Sequence, residues 1–137
     1  MSGRKFADTN IFIYAISDDA DPNKTALAQL ALLDTDVVSV QVLNEFVNVS
    51  RNKLRQSWEQ VLVALEVIAA AEYDILTVTH DLHLSALDLS RRHQLRIYDA
   101  CIVAAALEAG CDTLWSEDLQ AGRQFDRLTV KNPFDVA

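Results

Sequence analysis

Asp8, Glu45, Asp99 and Asp118 are the residues best placed to do chemistry. Asp8 closes a short apolar stretch and stands directly before Thr9-Asn10 and the apolar run Ile11-Phe12-Ile13-Tyr14-Ala15. A carboxylate among apolar neighbours is costly to desolvate unless something compensates it. In open α/β sheets, the carboxyl ends of strands are where ligands bind. Asp118 repeats the pattern after Thr113-Leu114-Trp115-Ser116, while Glu45 and Asp99 fall near the starts of helical patterns. Carboxylates a few Å apart cannot all stay ionised without a counterion. A hard cation, Mg2+ or Mn2+, answers that need, since it takes oxygen ligands and keeps several waters. Ions held this way acidify a water and stabilise the leaving oxygen of a phosphoryl displacement. That is nuclease chemistry.

Each acid also has a plainer reading. Asp8 could be a turn residue or helix N-cap beside the turn formers Thr9 and Asn10. Glu45 could be an exposed helical residue, with Asn44 and Asn48 making a polar stripe beside it. Asp99 could be an N-cap, favoured there by the helix dipole.

The elements that must position these acids can be read in order. A first strand ends at Asp8. Ser17-Asp18-Asp19-Ala20-Asp21-Pro22 reads as a loop whose Asp-Pro pair opens a helix to about Leu33. On that helix Ala26, Leu27, Leu30 and Leu33 share a face. The acidic loop could bind a cation, although a solvated helix start accounts for it too. Val37-Val38-Ser39-Val40 reads as a buried parallel strand. A helix carrying Val42, Leu43, Phe46, Val47 and Val49 follows, ending near Arg51. Ser57 and Gln60 form a capping box for an amphipathic helix with Val61, Leu62, Leu65, Ile68 and Ala69, running to about Ala71.

Asp74–Val78 is a further strand, and Thr79 or Asp81 opens a helix to about His93 with Leu84, Ala86 and Leu87 facing inward. An Ala-rich helix beginning around Asp99 stops at Gly110, and Thr113–Ser116 and Leu128–Val130 complete the strands. The order β-α-β-α-α-β-α-α-β-α-β predicts an α/β fold, a three-layer α/β/α arrangement around a short-stranded parallel sheet. All four acids then reach the edge formed by the strand carboxyl ends.

The 137 residues fit one domain, residues 1–137, and half are apolar. No linker, repeat or low-complexity segment interrupts them. The apolar runs are too short to span a bilayer and the N-terminus lacks a signal peptide's pattern, so a soluble, cytoplasmic protein with no membrane partner is expected. Cys101 and Cys111 are expected to be reduced, packed thiols. His80, His83 and His93 lack the spacing and third ligand of a zinc site. The net charge of −8 is unlike that of a generic nucleic-acid binder. It points to cations or basic proteins as partners, unless metal ions invert the local field.

Taken together, Phe6-Ala7-Asp8-Thr9-Asn10, Glu45 after the second strand, Tyr98-Asp99-Ala100 before an Ala-rich helix, and Ser116-Glu117-Asp118 resemble the PIN-domain ribonucleases. The VapC-type toxins of bacterial toxin–antitoxin pairs are the nearest subgroup in pattern. The resemblance spans the whole chain in the family's order. It implies metal ligation and catalysis by Asp8, Glu45, Asp99 and Asp118, with Asn10 and Ser116 as polar helpers and Glu117 as an adjacent acid without an assigned role. It further implies an RNA substrate, a small basic-tailed antitoxin as partner, and a homodimer. RNA would need local cations, for which Arg51, Lys53, Arg91, Arg92 and Arg96 are candidates; solvated helix ends are the plainer explanation of each.

Two other functions fit parts of the sequence. An aspartyl-phosphate phosphatase of haloacid-dehalogenase type would want an Asp two residues after Asp8, where this chain has Asn10. A catalytically inactive binding module would share the fold, but would have no chemical need for all four acids.

Overall fold

The computed structural model describes residues 3–17 and 21–135. The Asp18-Asp19 pair considered above as a cation site lies outside them. β1 (Arg4–Ala7) runs through the middle of a six-stranded sheet ordered β3-β2-β1-β4-β6-β5. β2 (Val37–Ser39) and β4 (Cys111–Trp115) pair with it in parallel on either side. β3 (Asp74–Leu76) extends the sheet beyond β2, and β6 (Leu128–Lys131) extends it beyond β4, both parallel. The two-residue β5 (Gln124–Phe125) folds back antiparallel on β6. Phe6, Ala7, Val37, Val38 and Leu114 have no exposed surface, as expected of central strands covered on both faces.

Six helices cover the sheet: α1 (Thr9–Ile16), α2 (Pro22–Leu33), α3 (Val40–Asn52), α4 (Trp58–Ala70), α5 (His80–His93) and α6 (Ile97–Glu108). The expected α/β architecture with a mainly parallel central sheet is present. α6 is buried without interruption from Ala100 to Ala106, so its small side chains let it lie deep in the core. Gly110 ends it with φ +77°, a backbone conformation that glycine adopts at no steric cost. Ser57 and Gln60 do form the reciprocal capping box of α4.

Four features depart from the sequence reading. The apolar run Ile11–Ala15, assigned to no element from sequence, is part of α1, with Asp8 as its N-cap and Thr9 and Asn10 already helical. Among the described residues, the stretch between β4 and β6 holds the β5 hairpin and no helix. The faces of three helices are rotated from the expected ones: α2 buries Ala28 and Ala31 while Leu33 is 84% exposed, and α5 buries Leu82, Ala86 and Leu89 while Leu84 and Leu87 are exposed. On α4, Leu62 faces out together with Trp58, Val63 and Val67.

Finally, Asp99 is not the N-cap of α6. Arg96 occupies that position without any side-chain cap hydrogen bond, and Asp99 is the third residue of the helix, within its first turn.

The chain builds the sheet outward from β1 through β2 to β3, then crosses to β4 on β1's other side. The strand order therefore reverses between β1 and β4. In open α/β sheets, that switch point opens a crevice at the strand carboxyl ends.

Candidate active site

Asp8 leaves β1 at the switch point. Its backbone N–H is tied to Trp115 O of β4 at 2.9 Å. Its side chain is buried and fully engaged: Oδ1 accepts from Thr9 N–H at 2.7 Å, and Oδ2 accepts from the Ser116 hydroxyl at 2.8 Å. The same carboxylate therefore caps a helix and occupies a candidate catalytic position, and the two readings of Asp8 are not exclusive. Burial pushes its pKa up to about 6, partly opposed by those two hydrogen bonds and assisted by the negative charges of Asp118 and Glu45.

Glu45 arrives from α3, whose start follows β2 directly. Thr9 Oγ1 donates to its Oε2 at 2.7 Å and Gln41 Nε2 to its Oε1 at 3.1 Å. Gln41 also donates to Tyr98 O at 3.1 Å, which ties α3 to the first turn of α6 and hence to Asp99. Asp99 is half-buried; burial raises its pKa, as do the charges of Asp118 and Glu45, while Arg96 acts in the opposite direction. Glu45 and Asp118 thus act electrostatically on both Asp8 and Asp99, and the four acids share one region of negative potential. Asp118 is exposed, in the turn after β4.

This region opens into a cleft of about 1170 Å3. Glu45, Glu117 and Asp118 line it, and Asn44, Asn48 and Lys53 extend the lining along and just past α3. Asn10 lines it too, yet its Oδ1 and Nδ2 are buried with no hydrogen-bond partner. An orphaned buried amide of this kind marks a place for an ordered water or a ligand.

The donors fit a hard divalent ion in kind, being carboxylate oxygens beside a cleft that admits water. Among the described residues, no three His, Cys, Asp or Glu side chains form a ready-made ligand set for a metal. Mg2+ commonly binds through one or two carboxylates and keeps its remaining waters, so the acids suit that mode without a closed cage.

The remaining expected residues divide. Ser116 is wholly buried and acts as a bracket: it donates to Asp8 and accepts from Leu119 N–H at 3.3 Å. Glu117 is turned towards Lys24 and Tyr14. Of the basic residues, Lys53 alone lines the cleft. Arg51 is spent on structure, stacked 4.6 Å over Trp58 and donating to Gln56 O at 2.8 Å. Arg91 and Arg92 pair with Asp88 in the last turn of α5, and Arg96 stands at the start of α6 beside Asp99. His80 and His83 stack on each other at a centroid distance of 6.1 Å, both exposed.

Both cysteines are buried thiols, Cys111 pushed up to about 11 by burial. Thr9, Gln41, Tyr14 and Lys24 were not singled out from sequence. Gln41 carried a usable signal, four residues before Glu45 and so on the same helix face.

The family model of the PIN domain matches residues 5–129, and the chain belongs to that family. A comparison with curated proteins returns no match. Several solved structures share the fold. The sarcin-ricin-loop-cleaving toxin VapC20 of Mycobacterium tuberculosis is 19% identical, with a TM-score of 0.68 over 83% of this chain and 91% of that one. A toxin–antitoxin complex from Klebsiella pneumoniae is 21% identical, with a TM-score of 0.70 over 96% and 99% of the two chains. VapBC2 of Rickettsia felis, bound to a DNA fragment from its promoter, is 20% identical, with a TM-score of 0.66 over 93% and 97%.

Proposed function

We propose that this protein is a divalent-metal-dependent endoribonuclease that hydrolyses RNA phosphodiesters, and that it is the toxin of a toxin–antitoxin pair. The observation that carries the reading is the open cleft at the sheet's switch point lined by Glu45 and Asp118, whose charges also act on Asp8 and Asp99, two acids that do not line it. Membership of the PIN family supports it.

Asp8, Glu45, Asp99 and Asp118 would hold Mg2+ or Mn2+. Such an ion would supply acidification of an attacking water and charge compensation for the leaving oxygen. The chain's own part is orientation. Thr9 fixes both Asp8, through its backbone N–H, and Glu45, through its hydroxyl, so one residue sets the spacing of two acids. Ser116 fixes the second oxygen of Asp8 and braces the turn that carries Asp118. For the RNA, the cleft offers side chains that have no hydrogen bond or ion pair among the described residues: the Asn44 amide, the Lys53 ammonium, and a Tyr98 ring that is 69% exposed. These suit a base edge, a phosphate and a base face respectively.

The charge of −8 and the acidic cleft suit a small antitoxin with a basic tail. Toxin–antitoxin assemblies are among the proteins of the same fold. The exposed apolar residues of α2, α4 and α5 provide surface for that partner and for a homodimer. Among the described residues no helix is long and apolar enough to cross a membrane; the proposed toxin acts on RNA in the cytoplasm.

The deciding experiment is cleavage of structured RNA by the purified protein with Mg2+ or Mn2+, with excess EDTA, and with Asp118→Asn. Cleavage that needs metal and fails in the variant is expected. Cleavage undiminished by thorough chelation would rule the mechanism out. Metal-independent RNA binding without cleavage would mark an inactive binding module.

A further inference from the structure

Glu117 sits beside Asp118 on the cleft and has the chemistry of a fifth metal-binding acid, but unlike Asp8 and Glu45, whose oxygens accept from neutral donors, it is already paired with an ammonium. Lys24 Nζ of α2 lies 2.5 Å from Oε2, and the Tyr14 hydroxyl of α1 donates to Oε1 at 2.9 Å. Lys24 is itself held from other directions. Its ammonium stands 4.2 Å from the centroid of the Tyr14 ring and 4.9 Å from that of Phe134, near the chain's end. The two rings meet edge to face at 5.0 Å. A cation between a carboxylate and two aromatic rings is fixed more firmly than one in an open surface pair.

The turn that presents Asp118 is therefore bolted on two sides. Ser116 ties it to Asp8 at the core, and Glu117 ties it to α1 and α2 at the rim. Asp118 itself has no hydrogen bond among the described residues and projects from the braced turn. An unbraced acid next to it would add a like charge to the cluster and compete for any ion bound there.

We propose that Lys24 and Tyr14 hold Glu117 as a positioning residue, which locks the turn presenting Asp118 and withholds its own carboxylate from the metal. This rests on the metal-dependent nuclease reading above. Groups that orient metal ligands through hydrogen bonds commonly govern affinity almost as strongly as the ligands do.

The test uses the full chain as wild type, Lys24→Met, Lys24→Arg, Glu117→Gln, Tyr14→Phe and Asp118→Asn. Two quantities are read: the rise in melting temperature on titration with Mn2+, and RNA cleavage as a function of Mn2+ concentration. Lys24→Met and Glu117→Gln are expected to need about tenfold more Mn2+ for half the effect in both measurements. The KM for RNA should stay near the wild-type value. Lys24→Arg, which keeps the charge and can lie on the rings, should retain the wild-type midpoint. Tyr14→Phe, which removes a single bond, should fall between and covers the case in which a harsher variant fails to fold.

Wild-type midpoints in Lys24→Met and Glu117→Gln would overturn the proposal while leaving the nuclease reading intact. Loss of the metal response in Glu117→Gln as complete as in Asp118→Asn, with Lys24→Met unaffected, would make Glu117 a ligand and overturn it too. A wild type with neither metal-dependent stabilisation nor cleavage would remove both.

Discussion

Ser116 donates its hydroxyl to Asp8 Oδ2 at 2.8 Å, joining the ends of two adjacent strands across 108 residues of sequence. The contact lies at the switch point of the sheet and supplies one of the two hydrogen bonds that favour the charged form of Asp8. Burial outweighs both.

The first prediction follows from that balance. In the unfolded chain Asp8 titrates near 3.8, and in the folded, metal-free protein near 6. Below the lower value the carboxyl is neutral in both states and costs nothing. Between the two values, folding takes up a proton, and the cost of burial grows with pH. Above about 6 the full penalty applies, on the order of 3 kcal/mol. Asp8→Asn keeps the N-cap oxygen and removes the charge. In EDTA the variant should be the more stable protein above pH 6, with the gap shrinking towards pH 4. Denaturant melts across that range check it; a gap that does not change with pH would refute the assignment to Asp8.

Ser116→Ala should move the same titration further up. Asp8 loses a donor to its charged form, and the buried Leu119 N–H loses its acceptor. A cost of roughly 1–3 kcal/mol is expected for groups left unsatisfied. The measurement is again stability against pH in EDTA, with the midpoint of the pH-dependent step higher than in wild type. An unmoved midpoint would mean that the hydroxyl does not act on Asp8.

For Asp99 the N-cap explanation is gone, because Arg96 holds the cap position. Asp99→Asn therefore sacrifices no capping bond and relieves repulsion from Asp118 and Glu45. Without metal, the melting temperature should stay level or rise. With Mg2+, the wild type should gain stability by mass action and the variant should gain less. Equal metal gains, together with unchanged RNA cleavage, would leave Asp99 without a part in the site.

Arg51 and Lys53 are two residues apart but are expected to behave differently. Lys53→Ala should reduce the salt slope of RNA binding by about 0.7 for the lost phosphate contact. Arg51→Ala should leave that slope unchanged and lower stability by about 0.5–1 kcal/mol through loss of its stacking on Trp58. Filter binding over a salt series, with one melt for each variant, separates them. Equal slopes for the two variants would contradict the division.

Much of the architecture was legible because periodicity and turn chemistry agreed for β2, β3, α4 and α6. α1 was missed for a physical reason. Its eight residues include a nearly continuous apolar run, which strand and buried helix share, and Thr9-Asn10 has the composition of a turn. Periodicity identified which leucines of α2 and α5 share a face but not which face lies inside; Ala28 and Ala31 of α2 face the core because small residues permit close packing, and on α5 only Ala86 of the three residues expected inside is buried. Among the candidate site residues, the acids were legible from their places at strand ends and helix starts. The groups that hold them were harder to see: Thr9 resembled a turn former, and Lys24 meets Glu117 across 93 residues of sequence.

The position of β1 has a consequence for the protein's synthesis. Its second neighbour, β4, is among the last strands to be made, and Ser116 and Asp118 follow immediately after it. While the chain is growing on the ribosome, β1 has an open flank, Asp8 has no hydroxyl to accept from, and the cleft lacks its far wall. The acidic site therefore cannot assemble until nearly the whole chain has emerged and closed the sheet.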